Sequence, residues 1–462
     1  MKRIISLFLC LLLILGLVSC KKGNNNTNAN SNNGSSNITS SEDDKTSSDS
    51  GVTSSEDETS SNSSTSSDKT SSSDKNSSSN KTSSTTSQKE LPPVVVAANP
   101  KYKATDDAIL TKAQLDKAVA TKYVKPKNVI LMISDGMGLN DVELARRFSD
   151  FKFEYGLSYQ LLPNIGTCTT NSLSGTTDSA AGGTALATGV KTINGYVGVD
   201  KDKKPLKNAS EYARENGKLV GVVTNDSVAN ATPAVFLAHT DSRYNSNEIR
   251  SDYIEFLPDF LVGSSNFASF QSALAGNSTL LNKLDTINVA NTFDQFASVL
   301  KRDTKREKPF FGFANKFGVN PGDYGLAEVT QMALDRLEND KGFFLMVENT
   351  GCDDAGHNNE INGKVSNPAT LDKAVAVAIK YCMENPDTIL IVTSDHETGG
   401  VLLPLKDDYQ LKDVKFTSSG HTNKDVGVYA LGYGTEYFKN KKVDNTDIGK
   451  FVIAALQGKQ YK

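Results

Sequence analysis

Asn128-Val-Ile-Leu-Met-Ile-Ser-Asp-Gly-Met-Gly138 is the stretch on which the fold turns. Val129 to Ile133 is apolar without alternation, and the run closes on Asp135-Gly136. An unbroken apolar run stopped by a turn reads as a strand buried on both faces, the habit of parallel sheets. Comparable runs lie at 218–224, 342–347, 388–393 and 426–432. Helical patterns separate them. The clearest spans 368–384, with Leu371, Val375, Ile379 and Cys382 on one stripe and Pro368 at its start. Strands alternating with helices predict an α/β fold: a doubly wound, mostly parallel central sheet flanked by helices, in a single large domain. Residues from about 250 to 340 are less regular and predict a surface insertion or lid.

The amino-terminal fifth of the chain is different. Met1-Lys2-Arg3 precedes an apolar run to Ser19, at roughly 16 residues too short to span a membrane. It reads as a secretory signal over 1–19. Its end, Leu17-Val-Ser-Cys20, resembles the lipobox of bacterial lipoproteins, which implies cleavage before Cys20 and acylation of that residue. Residues 21–90 hold 25 serines and only three aliphatic residues, too few to offset chain entropy by burial. The segment 20–95 is therefore expected to be a disordered tether, with a reach on the order of 45 to 50 Å. The remainder, 96–462, is long enough for a large catalytic domain. Fifty basic against 54 acidic residues give a net charge of −4, which argues against nucleic-acid binding. Among Cys168, Cys352 and Cys382 one pair could form and an odd thiol would be left over, so no disulfide is counted on.

Ligands of open α/β sheets bind beyond the carboxyl ends of the strands. Asp135 follows the first apolar run. Glu348, Asp353 and His357 follow the run at 342–347. Asp395 and His396 follow the run at 388–393, and His421 precedes the last. Three of the four histidines thus fall at strand ends, and carboxylate–imidazole clusters suit Zn²⁺. Asp353 and His357, four apart, share a face on any helical turn. His239, in a different context, reads as structural. Residues 176–189 are nearly all small, and Ser179 stands where a helix should begin, a place that suits an anion.

Together these segments resemble the alkaline phosphatase family, metal-dependent phosphomonoesterases with a serine nucleophile. The resemblance rests on 128–138, Thr177-Asp-Ser-Ala-Ala181, Ala231-Thr-Pro-Ala234, His239-Thr-Asp-Ser-Arg243, Val347-Glu348 with Asp353 and His357, Ser394-Asp-His-Glu-Thr-Gly-Gly400 and Gly420-His-Thr422. It implies an alkaline phosphatase-like fold and two Zn²⁺ with one Mg²⁺. Asp353, His357 and His421 would hold one zinc; Asp135, Asp395 and His396 the second; Asp135, Thr232 and Glu348 the magnesium. Ser179 would be the nucleophile and Arg243 the phosphate clamp, oriented by Asp178. The implied reaction is hydrolysis of small phosphate monoesters through a phosphoserine. The implied location is outside the cytoplasm, on a lipid-anchored membrane protein. A homodimer is expected only because family members often form one.

Two positions depart from the family pattern. Asn230 replaces an acid or histidine near the magnesium ligands, which implies a more exchangeable third metal. Asp354 stands where relatives often carry Lys, His or Trp. Phosphodiesterases of the superfamily use threonine as nucleophile and sulfatases a different local motif, so Ser179 with Arg243 favours monoesters. A metal- or phosphate-binding lipoprotein, or an envelope spacer, would not need the complete set of nucleophile, clamp and ligands.

Overall fold

The computed structural model describes residues 110–149, 156–303, 305–314 and 325–461. The signal run, Cys20, the tether and the expected start of order near 91–103 lie outside the described residues. Among the described residues twelve strands follow in chain order: β1 Asn128–Ser134, β2 Asn164–Thr169, β3 Leu219–Ser227, β4 Phe260–Ser264, β5 Asn288–Ala290, β6 Phe310–Phe313, β7 Phe343–Asn349, β8 Thr388–Thr393, β9 Glu397–Thr398, β10 His421–Thr422, β11 Val426–Leu431 and β12 Lys442–Asp444. Ten form one sheet in the order β12-β2-β11-β8-β1-β7-β3-β4-β6-β5, and β9 pairs with β10 in a small antiparallel ribbon. From β8 to β5 every neighbouring pair is parallel. The reversed strand is β11, antiparallel to both β8 and β2. The fold is thus a doubly wound α/β architecture, a large, mostly parallel sheet flanked by helices.

β1 lies inside this sheet between β7 and β8, and all seven of its residues are buried. Its side chains alternate between two cores. Val129, Leu131 and Ile133 pack with Ala180, Leu186 and Ile448 on one face. Ile130 and Met132 pack with Val142, Leu334 and Val375 on the other. The absence of polar alternation in the sequence has this cause, since helices cover both sides.

Two expectations need correction. The described residues between 250 and 340 are not irregular. They supply β4, β5 and β6, the far flank of the central sheet. These strands are three to five residues long, too short to show a period. The helix expected to start at Pro368 runs from Ile361 to Glu384, with Pro368 inside it. Proline there withholds the N–H that Lys364 O would otherwise receive. The earlier turns are secured by the Glu360 side chain, which accepts from Gly363 N at 2.8 Å. Cys168, Cys352 and Cys382 are free and buried. No helix among the described residues is long and apolar enough to cross a membrane.

On the long helix, Asp372 is wholly buried and accepts from Ser158 Oγ at 3.0 Å and Tyr159 N at 3.2 Å. It pins the Ser158–Leu161 turn against that helix. Burial pushes its carboxyl up to about 7 against these bonds, from 3.8 when exposed. A raised acid pKa means that folding favours the protonated form. The stabilisation is full below the unfolded value and is lost as pH rises through the folded one. Asp372→Asn removes this titration. Denaturant unfolding from about pH 4.5 to pH 8 should show the variant gaining on the wild type by on the order of one kcal/mol per pH unit, levelling above pH 7. Parallel pH profiles would contradict the buried-acid reading.

Candidate active site

Four adjacent parallel strands, β8, β1, β7 and β3, end at one place. In the ladder Ile133 of β1 stands opposite Glu348 of β7 and Thr393 of β8, and Thr224 of β3 stands opposite Glu348. Asp135 leaves β1 with its N–H on Asn349 O at 2.9 Å. Gly136 turns the chain at φ +72°, and any Cβ there would lie 2.7 Å from Asp353 Cα. The turn is tied to the end of β8: Gly136 N donates to Asp395 Oδ1 (3.3 Å) and Met137 N to Ser394 Oγ (2.9 Å). Asp135, Asp395 and His396 meet here, all buried, with Asp135 Oδ1 3.2 Å and Asp395 Oδ2 3.4 Å from His396 Nε2.

A second group adjoins it. Asp353 and His357 lie on the Gly351–His357 helix, where their four-residue spacing brings Asp353 Oδ2 within 3.3 Å of His357 Nε2. His421 Nε2 lies 3.4 Å from Asp353 Oδ1 and 3.2 Å from His357 Nε2. The His396 and His421 rings stack with centroids 3.7 Å apart.

The outer nitrogens decide the tautomers. His357 Nδ1 is 2.8 Å from Ser419 O, and His421 Nδ1 is 2.8 Å from Thr177 O. A carbonyl only accepts, so each Nδ1 carries the proton. His396 Nδ1 is 3.1 Å from Thr398 Oγ1, whose own hydrogen is given to Asp353 Oδ1. Its Nδ1 therefore also donates. In the neutral ring all three Nε2 atoms then turn bare lone pairs inward, the arrangement of metal-binding histidines.

The charges ask for cations. Burial, then Asp395, Asp353 and Glu348, push the Asp135 carboxyl well above its usual range, and Arg243 offsets only part. Burial and Asp353 push Asp395 up to about 7. Burial pushes Glu348 up to about 8 against the nearby Thr224 and Thr232 hydroxyls. Burial, then His421, hold His396 well below its usual value. Asp135 Oδ1, Asp395 Oδ2, Glu348 Oε2 and Thr232 Oγ1 are buried without a hydrogen bond of acceptable geometry. Buried oxygens without donors are costly unless another ligand meets them. Mixed N/O donors in the two histidine-bearing groups, and oxygens alone around Glu348, fit divalent cations.

Ser179 opens the Ser179–Thr188 helix and is 2% exposed, its Oγ 3.2 Å from His396 Nε2. The capping residue is Asp178, not Ser179. Asp178 Oδ1 accepts from Ala181 N at 2.9 Å. Asp178 Oδ2 accepts from Gly195 N at 2.9 Å and from an Arg243 guanidinium nitrogen at 3.2 Å. Arg243 N in turn donates to Gly195 O at 2.8 Å. Thr232 lies in the short Ala231–Ala234 turn of helix after β3. Asp135, Asp353, His357, Asp395, His396 and His421 thus come together with Ser179 at the ends of these strands. His239 is not among them: it pairs with Gly198, Glu211 and Asp252. Asn230 donates to Asp226 Oδ2 at 2.6 Å, and Asp354 is exposed.

Sequence reading missed Thr398, which links His396 to Asp353 although it lies in the quoted 394–400 segment. It also missed the buried Lys364–Asp141 pair, for which neither residue carries a motif.

A model of the alkaline phosphatase family matches residues 126–255 and 296–412. The unmatched stretch between them holds β4 and β5. Alkaline phosphatase 4 of Bacillus subtilis is 29% identical over 436 residues, covering 74% of this chain and 92% of the relative. Streptomycin-6-phosphate phosphatase of Streptomyces griseus is 30% identical, covering 67% and 81%. Among solved structures, alkaline phosphatase from the Antarctic bacterium TAB5 is similar at 31% identity and TM-score 0.64, covering 73% of this chain and all of that one.

The small residues of the Ser179–Thr188 helix have a packing cause. A Cβ on Gly182 would meet the Asp395 carbonyl oxygen at 2.8 Å. Helix propensity alone would make Gly182→Ala stabilising by about 1 kcal/mol. Overpacking against backbone costs about 1–3 kcal/mol and should win. Urea unfolding is expected to show a net loss; a stabilised variant would mean that the Asp395 segment yields freely.

Proposed function

The chain belongs to the alkaline phosphatase family and is a phosphatase, and on that premise we propose that it hydrolyses phosphate monoesters through a phosphoserine at Ser179. The observation that carries this reading is the convergence of three histidine Nε2 atoms and the carboxylates of Asp135, Asp353 and Asp395 beside the Ser179 hydroxyl. Asp353, His357 and His421 would hold one zinc, and Asp135, Asp395 and His396 a second. Asp135, Thr232 and Glu348 would hold a magnesium. Bound in these places, divalent cations would supply the charge that lowers the pKa of a hydroxyl or water and offsets that of a departing alkoxide.

The chain's own groups do the rest. Arg243 spans two non-bridging phosphate oxygens with its planar fork, which a lysine could not match. Asp178 holds that fork from behind, so little side-chain freedom remains to be lost on binding. Ser179 gives up its hydroxyl proton to solvent, and its Oγ forms a bond to phosphorus as the ester oxygen leaves with its electron pair. The alkoxide takes up a proton to leave as the alcohol. Water then cleaves the Ser179–phosphorus bond, inorganic phosphate departs, and the serine hydroxyl is restored. Peptide N–H groups at the start of the Ser179–Thr188 helix favour the anion throughout. Phosphate is what these groups grip, so a broad range of monoesters is expected. With Asn230 turned to Asp226, the third metal is expected to exchange most readily.

A lipid anchor at Cys20, outside the cytoplasm, is part of the same proposal. It rests on the Leu17–Cys20 tetrapeptide and the serine-rich segment behind it.

With zinc and magnesium supplied, p-nitrophenyl phosphate turnover should rise from about pH 6 to about pH 11 and exceed that of bis(p-nitrophenyl) phosphate. Ser179→Ala should lose at least about 10³-fold in kcat. Arg243→Ala should lose about 10- to 10³-fold in kcat/KM and bind inorganic phosphate more weakly. Diester preference, or an active Ser179→Ala, would overturn the reading.

A further inference from the structure

Lys364 is wholly buried, and so is its partner Asp141. Its ammonium has three donors and three partners: Gly136 O at 3.0 Å, Asp141 Oδ2 at 3.0 Å and Cys352 Sγ at 3.6 Å. Gly136 directly follows Asp135, and Cys352 directly precedes Asp353. Asp141 Oδ2 also accepts from Gly138 N at 2.8 Å, which fixes the end of the same turn. Gly136 O receives a second bond, from Thr398 N at 3.2 Å. One cation thus touches the segments that carry Asp135 and Asp353, the carboxylates of the two neighbouring donor groups. We propose that Lys364 is a positioning residue that sets the spacing between these two groups and so their affinity for metal.

The proposal rests on the metal-ligand reading given above. Stability alone does not account for the pair. A buried ion pair loses hydration on both partners, and apolar residues of similar size often replace one without loss of stability. What such residues cannot supply is a donor for Gly136 O and an acceptor for Gly138 N. Groups behind metal ligands typically change metal affinity about 10- to 100-fold when removed.

Single substitution would strand the other charge, so the test uses the double variant Lys364→Met/Asp141→Leu in the full domain. Thermal unfolding of the metal-free protein reports stability. Zinc affinity is read by competition with a chromophoric chelator. The expected result is a melting temperature close to wild type with zinc affinity about 10- to 100-fold lower. Lys364→Gln/Asp141→Asn keeps a donor and an acceptor without charge and should recover most of that affinity. A double variant that fails to fold, or that folds and binds zinc like wild type, would overturn the assignment. Failure of the Gln/Asn pair to recover affinity would do the same. Asp135→Asn separates the two ideas: if it too binds zinc like wild type, the ligand reading falls and not the role of Lys364 alone.

Discussion

Four carboxylates, those of Asp135, Glu348, Asp353 and Asp395, are drawn into one buried place, and their mutual repulsion is the constraint on which the rest of the site depends. Folding brings them there because β1, β7 and β8 are adjacent and parallel, so their carboxyl ends coincide. Nothing in the hydrophobic core compensates for that charge. The chain instead sets out nitrogen and oxygen donors whose outward bonds are already satisfied. His357 is held by Ser419 O, His421 by Thr177 O, and His396 by Thr398. The electrostatic cost of the folded protein is thereby tied to what it binds, and affinity for cations and stability of the fold become two readings of one quantity.

The surrounding backbone answers to the same demand. Turns at Gly136 and at the Asp395 segment are bonded to each other, and the glycine-bearing face of the Ser179–Thr188 helix packs on the Asp395 carbonyl. Close approach is therefore a property of the scaffold before it is a property of the chemistry. Small residues there leave room for backbone, and the serine is brought to the cluster as a result.

Much of this was legible in the sequence, and the reasons are physical. Buried parallel strands have no polar alternation, so β1 and β8 could be bounded to the residue. Strand ends are where polar residues must appear, so Asp135, Asp395 and His396 announced themselves. The Asp353–His357 pair obeyed helical spacing. The flank at β4–β6 was not legible, because three to five residues carry too little pattern to separate a short strand from a loop. The start of the long helix was misplaced because Pro368 reads as a beginning, whereas Glu360 supplies the cap eight residues earlier. Lys364 and Asp141 were invisible because a buried charge pair is defined by partners distant in sequence and leaves no periodic trace.

The three thiols add a consequence of another kind. Cys168, Cys352 and Cys382 are free and buried, and burial raises the pKa of each well above that of an exposed cysteine. A thiol that does not ionise is a poor nucleophile and a poor target for oxidants. Among the described residues, then, no covalent cross-link has to form for the domain to fold, and none is there to be reduced. A reductant would thus find no bond to break among the described residues.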